Sequence, residues 1–327
     1  MILVTGGAGF IGSNLVAALC ERGARVAVCD RLGSGDKWRN IAKRALEALV
    51  PPEDLTGFLE SEGGGLTAVV HLGATSNTTA SDGDAVARNN FGLSKELWRW
   101  CSAHQRPLIY ASSAATYGDG AAGFEDDLTA DHLAKLRPLN LYGWSKHLFD
   151  RWISHHVAAG GPRPPQWAGL KFFNVYGPNE YHKEGQASVV YQLYRQVSGG
   201  EAARLFASHH PDYADGGQLR DFIWVEDCVA IMLWLLDHPE TSGLFNVGTG
   251  KARSFADLAK AVFAALGRPA RIEFIPTPET IRDKYQYFTQ AETERLRAAG
   301  YGRAFTELEA GVARYLQHYL TSDDPYR

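Results

Sequence analysis

Tyr142 and Lys146 stand four positions apart in Tyr142-Gly143-Trp144-Ser145-Lys146, a spacing that sets two side chains on one face of a helix. A free phenol titrates near pH ~10, too high to exchange protons at neutral pH. A neighbouring ammonium favours the phenolate, so the spacing predicts Tyr142 as an acid/base group and Lys146 as its electrostatic partner. Upstream, Tyr110-Ala111-Ser112-Ser113-Ala114-Ala115-Thr116-Tyr117-Gly118 follows an apolar run, and Ser113 is the hydroxyl expected to bond a reacting oxygen. A Tyr/Lys pair at this spacing occurs by chance in many helices. Its specificity comes from what precedes it.

Near the start, Thr5-Gly6-Gly7-Ala8-Gly9-Phe10-Ile11-Gly12 follows a β-like run and opens a helical pattern. Gly7, Gly9 and Gly12 match G-x-G-x-x-G, and Gly6, Gly9 and Gly12 match the wider G-x-x-G-x-x-G. Glycine permits the tight turn, the close approach of a pyrophosphate and the close packing of helix on sheet. The helix N-terminus would then offer free amides to the phosphates. Asp30 ends the second β-like run, about 20 positions on, where a carboxylate can take adenosine ribose hydroxyls. A glycine-rich turn without a ligand is the plainer alternative, and the order strand, loop, helix, acid speaks against it. Asp30 alone favours NAD, whereas Arg31 and Lys37 are cations that could accept a 2′-phosphate. NADP is the expectation, with NAD possible and with two merely solvated cations as the alternative.

These residues need a scaffold. Ile2–Val4, Arg25–Cys29, Thr67–Leu72 and Pro107–Ala111 read as strands, with helical patterns over Gly12–Arg22 and Asp84–His104 between them. Such alternation implies βαβ crossovers and an α/β fold, a Rossmann-type doubly wound parallel sheet. Open sheets of this kind place their chemistry at the C-terminal ends of strands, where Ser113 lies. Ala158–Pro165 reads as a loop. Beyond it, Gly169–Asn174, Leu219–Val225, Gly243–Val247 and Arg271–Ile275 read as strands, with helices over Glu226–Asp237, Phe255–Leu266 and Thr306–Leu320. The strand at 219–225 is expected to return to the large domain. The dinucleotide domain is therefore drawn as 1–174 plus 219–243 and 290–327, with a smaller α/β substrate-binding lobe from 175–218 plus 244–289.

Hydrophobic residues make up 45% of the 327 and charged residues 21%, the balance of a globular protein. A formal net charge of −4 argues against a nucleic-acid binder. Cys20, Cys29, Cys101 and Cys228 form no C-x-x-C pair and lie in apolar segments, so buried thiols in a reducing compartment are expected. With no signal-like N-terminus and no apolar stretch of membrane-spanning length, the cytoplasm is expected, without a membrane partner. The pairs His155-His156 and His209-His210 lack metal-type spacing and read as solvated, so no metal is expected. The eight tryptophans, Trp98 and Trp100 among them, read as packing rather than a stacking platform.

The glycine loop, the Ser112-Ser113 block and the Tyr142/Lys146 pair together resemble the extended short-chain dehydrogenase/reductase family, the NAD-dependent epimerases and dehydratases, over essentially the whole chain. Within it, the closer resemblance is to the ADP-heptose 6-epimerases. It rests on Phe173-Asn174-Val175-Tyr176-Gly177-Pro178 running on through His182-Lys183, on Tyr285-Gln286-Tyr287-Phe288-Thr289-Gln290, and on Arg297-Ala298-Ala299-Gly300-Tyr301. The resemblance implies a nucleotide-sugar substrate, oxidation at C6 to a ketone and re-reduction on the opposite face. Tyr142 would serve one face and Lys183 the other, with Ser113 at the ketone oxygen and Lys146 also holding the nicotinamide ribose. It further implies cofactor contacts from Gly6, Gly9, Phe10, Ile11, Gly12, Asp30, Arg31, Lys37, Leu72, Gly73, Ala74, Thr75, Asn89, Val175 and Lys183. Substrate contacts are implied for Asn174, Gly185, Gln192, Phe206, Arg220 and Tyr285, with Arg220 suited to pyrophosphate. A homo-oligomer is implied by the family alone.

The chain departs from the family at several points. Gly185 and Gln192 replace an expected Ser and His, Pro52 replaces a cofactor-binding Lys, and Ala207–Gly217 lacks the expected acid-glycine-serine pattern. A nucleotide-sugar 4-epimerase would share Ser113, Tyr142 and Lys146 without needing Lys183. A 4,6-dehydratase would need an Asp-Glu pair where Ala114 and Ala115 stand. A non-catalytic cofactor sensor could lose the Tyr/Lys pair, which this chain keeps.

Overall fold

The computed structural model describes residues 1–282 and 286–327. Among the described residues, seven parallel strands form the large sheet: β1 (Ile2–Thr5), β2 (Val26–Cys29), β3 (Ala48–Val50), β4 (Ala68–His71), β5 (Leu108–Ser113), β6 (Trp167–Phe172) and, later in the chain, Gly243–Val247. Their spatial order runs from Gly243–Val247 through β6, β5, β4, β1 and β2 to β3. The order reverses between β1 and β4, so a crevice opens at their C-terminal ends, where open α/β sheets take ligands.

Alternation along β1 shows how both faces are covered. Leu3 packs with Trp98, Phe149 and Ile153, under the helices Leu93–Ala103 and Leu141–Ala158. Val4 points the other way, to Leu15, Ile231 and Met232 of the helices Phe10–Glu21 and Val225–Asp237. Apolar residues on both sides are what a doubly covered parallel sheet requires.

The remaining strands lie outside the large sheet. They are β7 (Asn174–Tyr176), β8 (Ala203–Phe206), β9 (Leu219–Trp224), β11 (Ala252–Ser254) and β12 (Ile272–Ile275), which leaves Gly243–Val247 as β10. β9 pairs with β7 and β11, and β8 pairs with β12. The strand at 219–225, expected to return to the large domain, therefore pairs outside the large sheet. β10 joins the large sheet instead, in register with β6 from Gly243↔Ala168 to Val247↔Phe172. The boundary expected at 244 consequently cuts through a strand. Sequence marks both runs as β-like, but not which strands each will pair with. The second core gathers Val190, Leu193, Trp224, Leu258, Val312 and Tyr315. Its helix Phe255–Ala265 starts on a capping box between Ser254 and Asp257.

Shorter differences have local causes. The helix expected over 84–104 begins at Gly83 and carries a π-helical turn over Ala87–Gly92, a feature that re-aims side chains near functional sites. β3, β8 and the helix Val189–Ser198 were absent from the pattern-based expectation, the first two because runs of three and four residues carry almost no periodicity. His156 is not solvated: it stacks on Trp152 at 4.6 Å and bonds the Pro162 carbonyl at 2.8 Å. All four cysteines are free thiols, three of them buried. No helix among the described residues is long and apolar enough to cross a membrane.

Candidate active site

The glycine loop is shaped by close approaches that a side chain would block. Gly6 has φ +67°, and a Cβ there would sit 2.6 Å from the Gly73 nitrogen. A Cβ at Gly12 would lie 2.1 Å from the Gly6 carbonyl oxygen, so the helix can start this close to β1 only with glycine. No side chain caps the helix Phe10–Glu21, which leaves its first-turn amides and positive dipole end facing the crevice. This cradle fits a dinucleotide pyrophosphate.

Across the crevice, Leu72, Gly73, Ala74 and Thr75 leave β4, and Gly73 N–H donates to Thr5 Oγ1 at 3.1 Å. Thr5 in turn meets the Nδ1 of buried His71 at 2.6 Å, and His71 Nε2 lies 2.9 Å from Ser94 Oγ. Since the Ser94 hydroxyl donates to the Asn90 carbonyl, His71 must donate from Nε2 and accept at Nδ1. Burial holds this imidazole neutral, its pKa down to about 3. Asn90 rather than Asn89 forms the buried tie. Its Oδ1 accepts from Thr75 N–H at 2.7 Å, and its Nδ2 donates to Thr75 O at 3.0 Å and Ser145 Oγ at 2.9 Å. Asn89 reaches the Thr75 hydroxyl at 3.1 Å from a half-buried position.

Asp30 accepts from Ala8 N–H at 2.9 Å and Arg31 N–H at 2.7 Å, and it pairs with Lys37 at 2.6 Å. Lys37 is thus bound to protein, and exposed Arg31 pairs with Glu53 at 3.4 Å. Neither cation is merely solvated.

Ser113 ends β5, two residues beyond the expected strand. Its Oγ accepts from Ala115 N–H at 3.1 Å and shares a hydrogen bond with the Tyr142 hydroxyl. The helix Leu141–Ala158 is capped by Asn140, whose side chain accepts from Gly143 N–H at 2.8 Å. A Cβ at Gly143 would stand 2.6 Å from the Ala115 carbonyl, so this glycine lets the helix approach the Ser113 turn. Lys146 is buried and donates to Ala111 O at 2.8 Å. Its pKa falls to about 8, because burial outweighs the attraction of Asp150. The Tyr142 phenol shifts upward instead: burial dominates and the Ser113 hydrogen bond only opposes it. The expected acidification by Lys146 is therefore not the governing effect in the protein itself, since the ammonium is directed at a backbone carbonyl.

Lys183 is not a surface lysine. Its Nζ lies 5.7 Å from the Phe10 ring centroid, against the helix start that closes the cofactor loop, and burial lowers its pKa while Glu180 opposes the shift. Three buried asparagines hold that juxtaposition. Asn40 Nδ2 donates to Ala8 O at 2.9 Å and Asn179 O at 3.0 Å, and it lies 3.2 Å from His182 Nδ1. Asn14 Nδ2 donates to Phe10 O and Pro178 O, each at 2.9 Å, and Asn179 Nδ2 donates to Ser13 Oγ at 3.0 Å. Asn179 sits at φ +71°, a left-handed conformation that asparagine tolerates. The Gln192 amide supports the same loop by donating to Ala187 O at 2.7 Å, while Gly185 is exposed with open space around it.

On the other wall, Arg220 donates to the carbonyls of Leu219 (2.8 Å) and Gln286 and lies over the Phe255 ring at 5.6 Å. Phe206 is half-buried, and its carbonyl accepts from Gln218 at 3.2 Å. Asn174 is exposed at the start of β7, beside half-buried Val175. In the divergent 207–217 loop, His209 Nδ1 meets the Tyr287 hydroxyl at 2.8 Å, so this histidine is partnered as well. Tyr285 lies outside the described residues.

The NAD dependent epimerase/dehydratase family model matches residues 2–248. Over 332 aligned residues covering 100% of both chains, this chain is 48% identical to the ADP-L-glycero-D-manno-heptose-6-epimerase of Nitratidesulfovibrio vulgaris. Among solved structures, ADP-L-glycero-D-manno-heptose-6-epimerase from Helicobacter pylori is 28% identical with a TM-score of 0.80, over 97% of this chain and 95% of that one. The Thermus thermophilus UDP-glucose 4-epimerase, solved with NAD, is 26% identical with a TM-score of 0.74, over 98% and 99%.

Proposed function

The chain belongs to the NAD dependent epimerase/dehydratase family and, within it, to the ADP-L-glycero-D-manno-heptose-6-epimerases, and from this premise we propose how its site inverts a sugar carbon. It is a nicotinamide-dependent isomerase interconverting ADP-D-glycero-D-manno-heptose and ADP-L-glycero-D-manno-heptose. Bound in the glycine cradle, the dinucleotide supplies hydride exchange at C6. The chain itself manages the oxygen and its proton.

With the C6 oxygen on the Tyr142 side, the phenol donates its proton to the ketone oxygen on reduction and the phenolate takes it back on oxidation, while Ser113, already bonded to Tyr142, steadies the ketone oxygen. After the sugar reorients, the oxygen points the other way and Lys183 exchanges the proton. A lysine lowered by burial is suited to that role. The always-charged fork of Arg220, braced by Phe255, holds the pyrophosphate. Asn174, Gln192 and Phe206 complete the sugar and nucleotide contacts.

The observation that carries this reading is Lys183 against Phe10: the loop bearing the second acid/base group is pinned to the cofactor loop. Incubation with either ADP-heptose epimer, followed by NMR, is expected to yield the same mixture from both sides. No conversion, together with activity on UDP-hexoses, would transfer the chain to the 4-epimerases. Dehydration is disfavoured by Ala114 and Ala115, which offer no carboxylates.

For the cofactor, NADP is the finer reading, with Arg31 and Lys37 as cations for the 2′-phosphate on either side of Asp30. The carboxylates of Asp30 and Glu53 compete for those cations, and Pro52 supplies no further one. Nucleotide released by acid from the purified protein and resolved by chromatography is expected to be NADP. NAD alone would show that the acids win.

A further inference from the structure

Beneath the catalytic groups lies a charge pair that the mechanism does not use. Lys171 on β6 and Asp150 on the helix Leu141–Ala158 meet at 2.8 Å with both side chains fully shielded from solvent. Lys171 also donates to Thr116 Oγ1 at 2.6 Å and lies 4.8 Å from the Tyr117 ring centroid. Asp150 accepts from Ser112 Oγ at 2.7 Å, and the Thr116 hydroxyl donates to Ser113 O at 2.8 Å. A buried ion pair is seldom retained for stability, because desolvation of two ions offsets most of their attraction and apolar residues of like volume serve as well. Its connections give the better reason. Tyr142, Lys146 and Asp150 follow one another at four-residue steps on one helix face, and Ser112 and Thr116 flank Ser113.

We propose that the Lys171–Asp150 pair is a positioning device for the reaction, in which Asp150 keeps Lys146 charged and Lys171, by holding the Asp150 carboxylate in place, locks helix, β5 and the Ser113 turn in line. The proposal rests on the epimerase reading above. Asp150 is the group that attracts the Lys146 charge against the pull of burial. The other groups around Lys146 do not compensate for it. Burial keeps His71, at the end of β4, and His147, on the same helix, neutral down to about pH 3 and about pH 4. Burial raises the phenols of Tyr142, Tyr110 and Tyr117, which stay neutral. Arg137 and Arg151 act on His147, and Asp126, held up to about 6, interacts with Lys171.

With its pKa at about 8, the Lys146 ammonium prevails below that pH and is lost above it, so turnover of the native enzyme should fall as pH rises through about 8. Losing the Asp150 charge should lower that limb by about one pH unit. Single removal of either partner strands a buried ion, so the test uses the neutral double variant Asp150→Asn/Lys171→Met alongside Lys171→Arg, which keeps the pair. In holoenzyme assayed for heptose interconversion across pH, the double variant is expected to show the alkaline limb of kcat moved toward neutrality, KM nearly constant and the limb of Lys171→Arg at its native place. A double variant with the native limb, whatever its rate, would make the pair purely structural and overturn the proposal. Should that double variant not fold, Asp150→Asn/Lys171→Leu is read in the same way: a limb moved toward neutrality supports the proposal and a native limb overturns it. Activity of the native enzyme in the same assay separates this outcome from failure of the epimerase reading.

Discussion

Tyr142→Phe is expected to lower kcat for heptose interconversion by about 10³-fold, within the range that a positioned acid/base group contributes. The phenylalanine ring retains the packing of the tyrosine at a half-buried position, so secondary structure and thermal stability should stay near native. What disappears is the oxygen shared with Ser113, and with it the proton path to a sugar hydroxyl. Because burial raises this phenol rather than lowering it, the resting residue is protonated at neutral pH and is poised to donate. KM should change little, since Arg220 and the sugar contacts remain. Rates measured by NMR on folded variant would refute the assignment if they stayed within a few-fold of native.

Much of the site was legible before the fold was known, for reasons particular to each residue. Gly6, Gly9 and Gly12 announce themselves because the steric demand is local: the Gly12 position meets the Gly6 carbonyl only six residues away. Tyr142 and Lys146 are visible through helical spacing, and the same four-residue step extended once more would have pointed to Asp150. Asn14, Asn40 and Asn179 were silent. Their partners lie 164, 139 and 166 positions away, and an asparagine looks the same in sequence whether it is solvated or clamping two segments together. The sheet placements of β9 and β10 were silent for a related reason, since strand pairing is decided by tertiary packing and not by the run itself.

Lys183→Met is expected to reduce interconversion about as severely, by about 10³-fold in kcat, while leaving nucleotide-sugar binding close to native. Methionine keeps an unbranched apolar side chain against Phe10 and removes the ammonium, so the asparagine clamp has no reason to open. The proposed scheme gives each orientation of the C6 oxygen its own proton-exchanging group, and that is why it needs this residue. The hydrogen leaves one face of C6 and returns to the other, so the sugar oxygen presents itself in two orientations, and a residue fixed on the helix Leu141–Ala158 can reach only one of them. Lys183 comes from a different segment, tied to the glycine loop at Ala8 and Phe10, with its pKa lowered by burial and kept from falling further by Glu180. A 4-epimerase built on the same Ser113, Tyr142 and Lys146 would tolerate the change. Kinetics of the two variants side by side, read by NMR from each epimer, therefore test the two-group scheme: both must fall steeply. Near-native turnover in Lys183→Met, with Tyr142→Phe inactive, would leave a single proton-exchanging residue and refute the opposed pair.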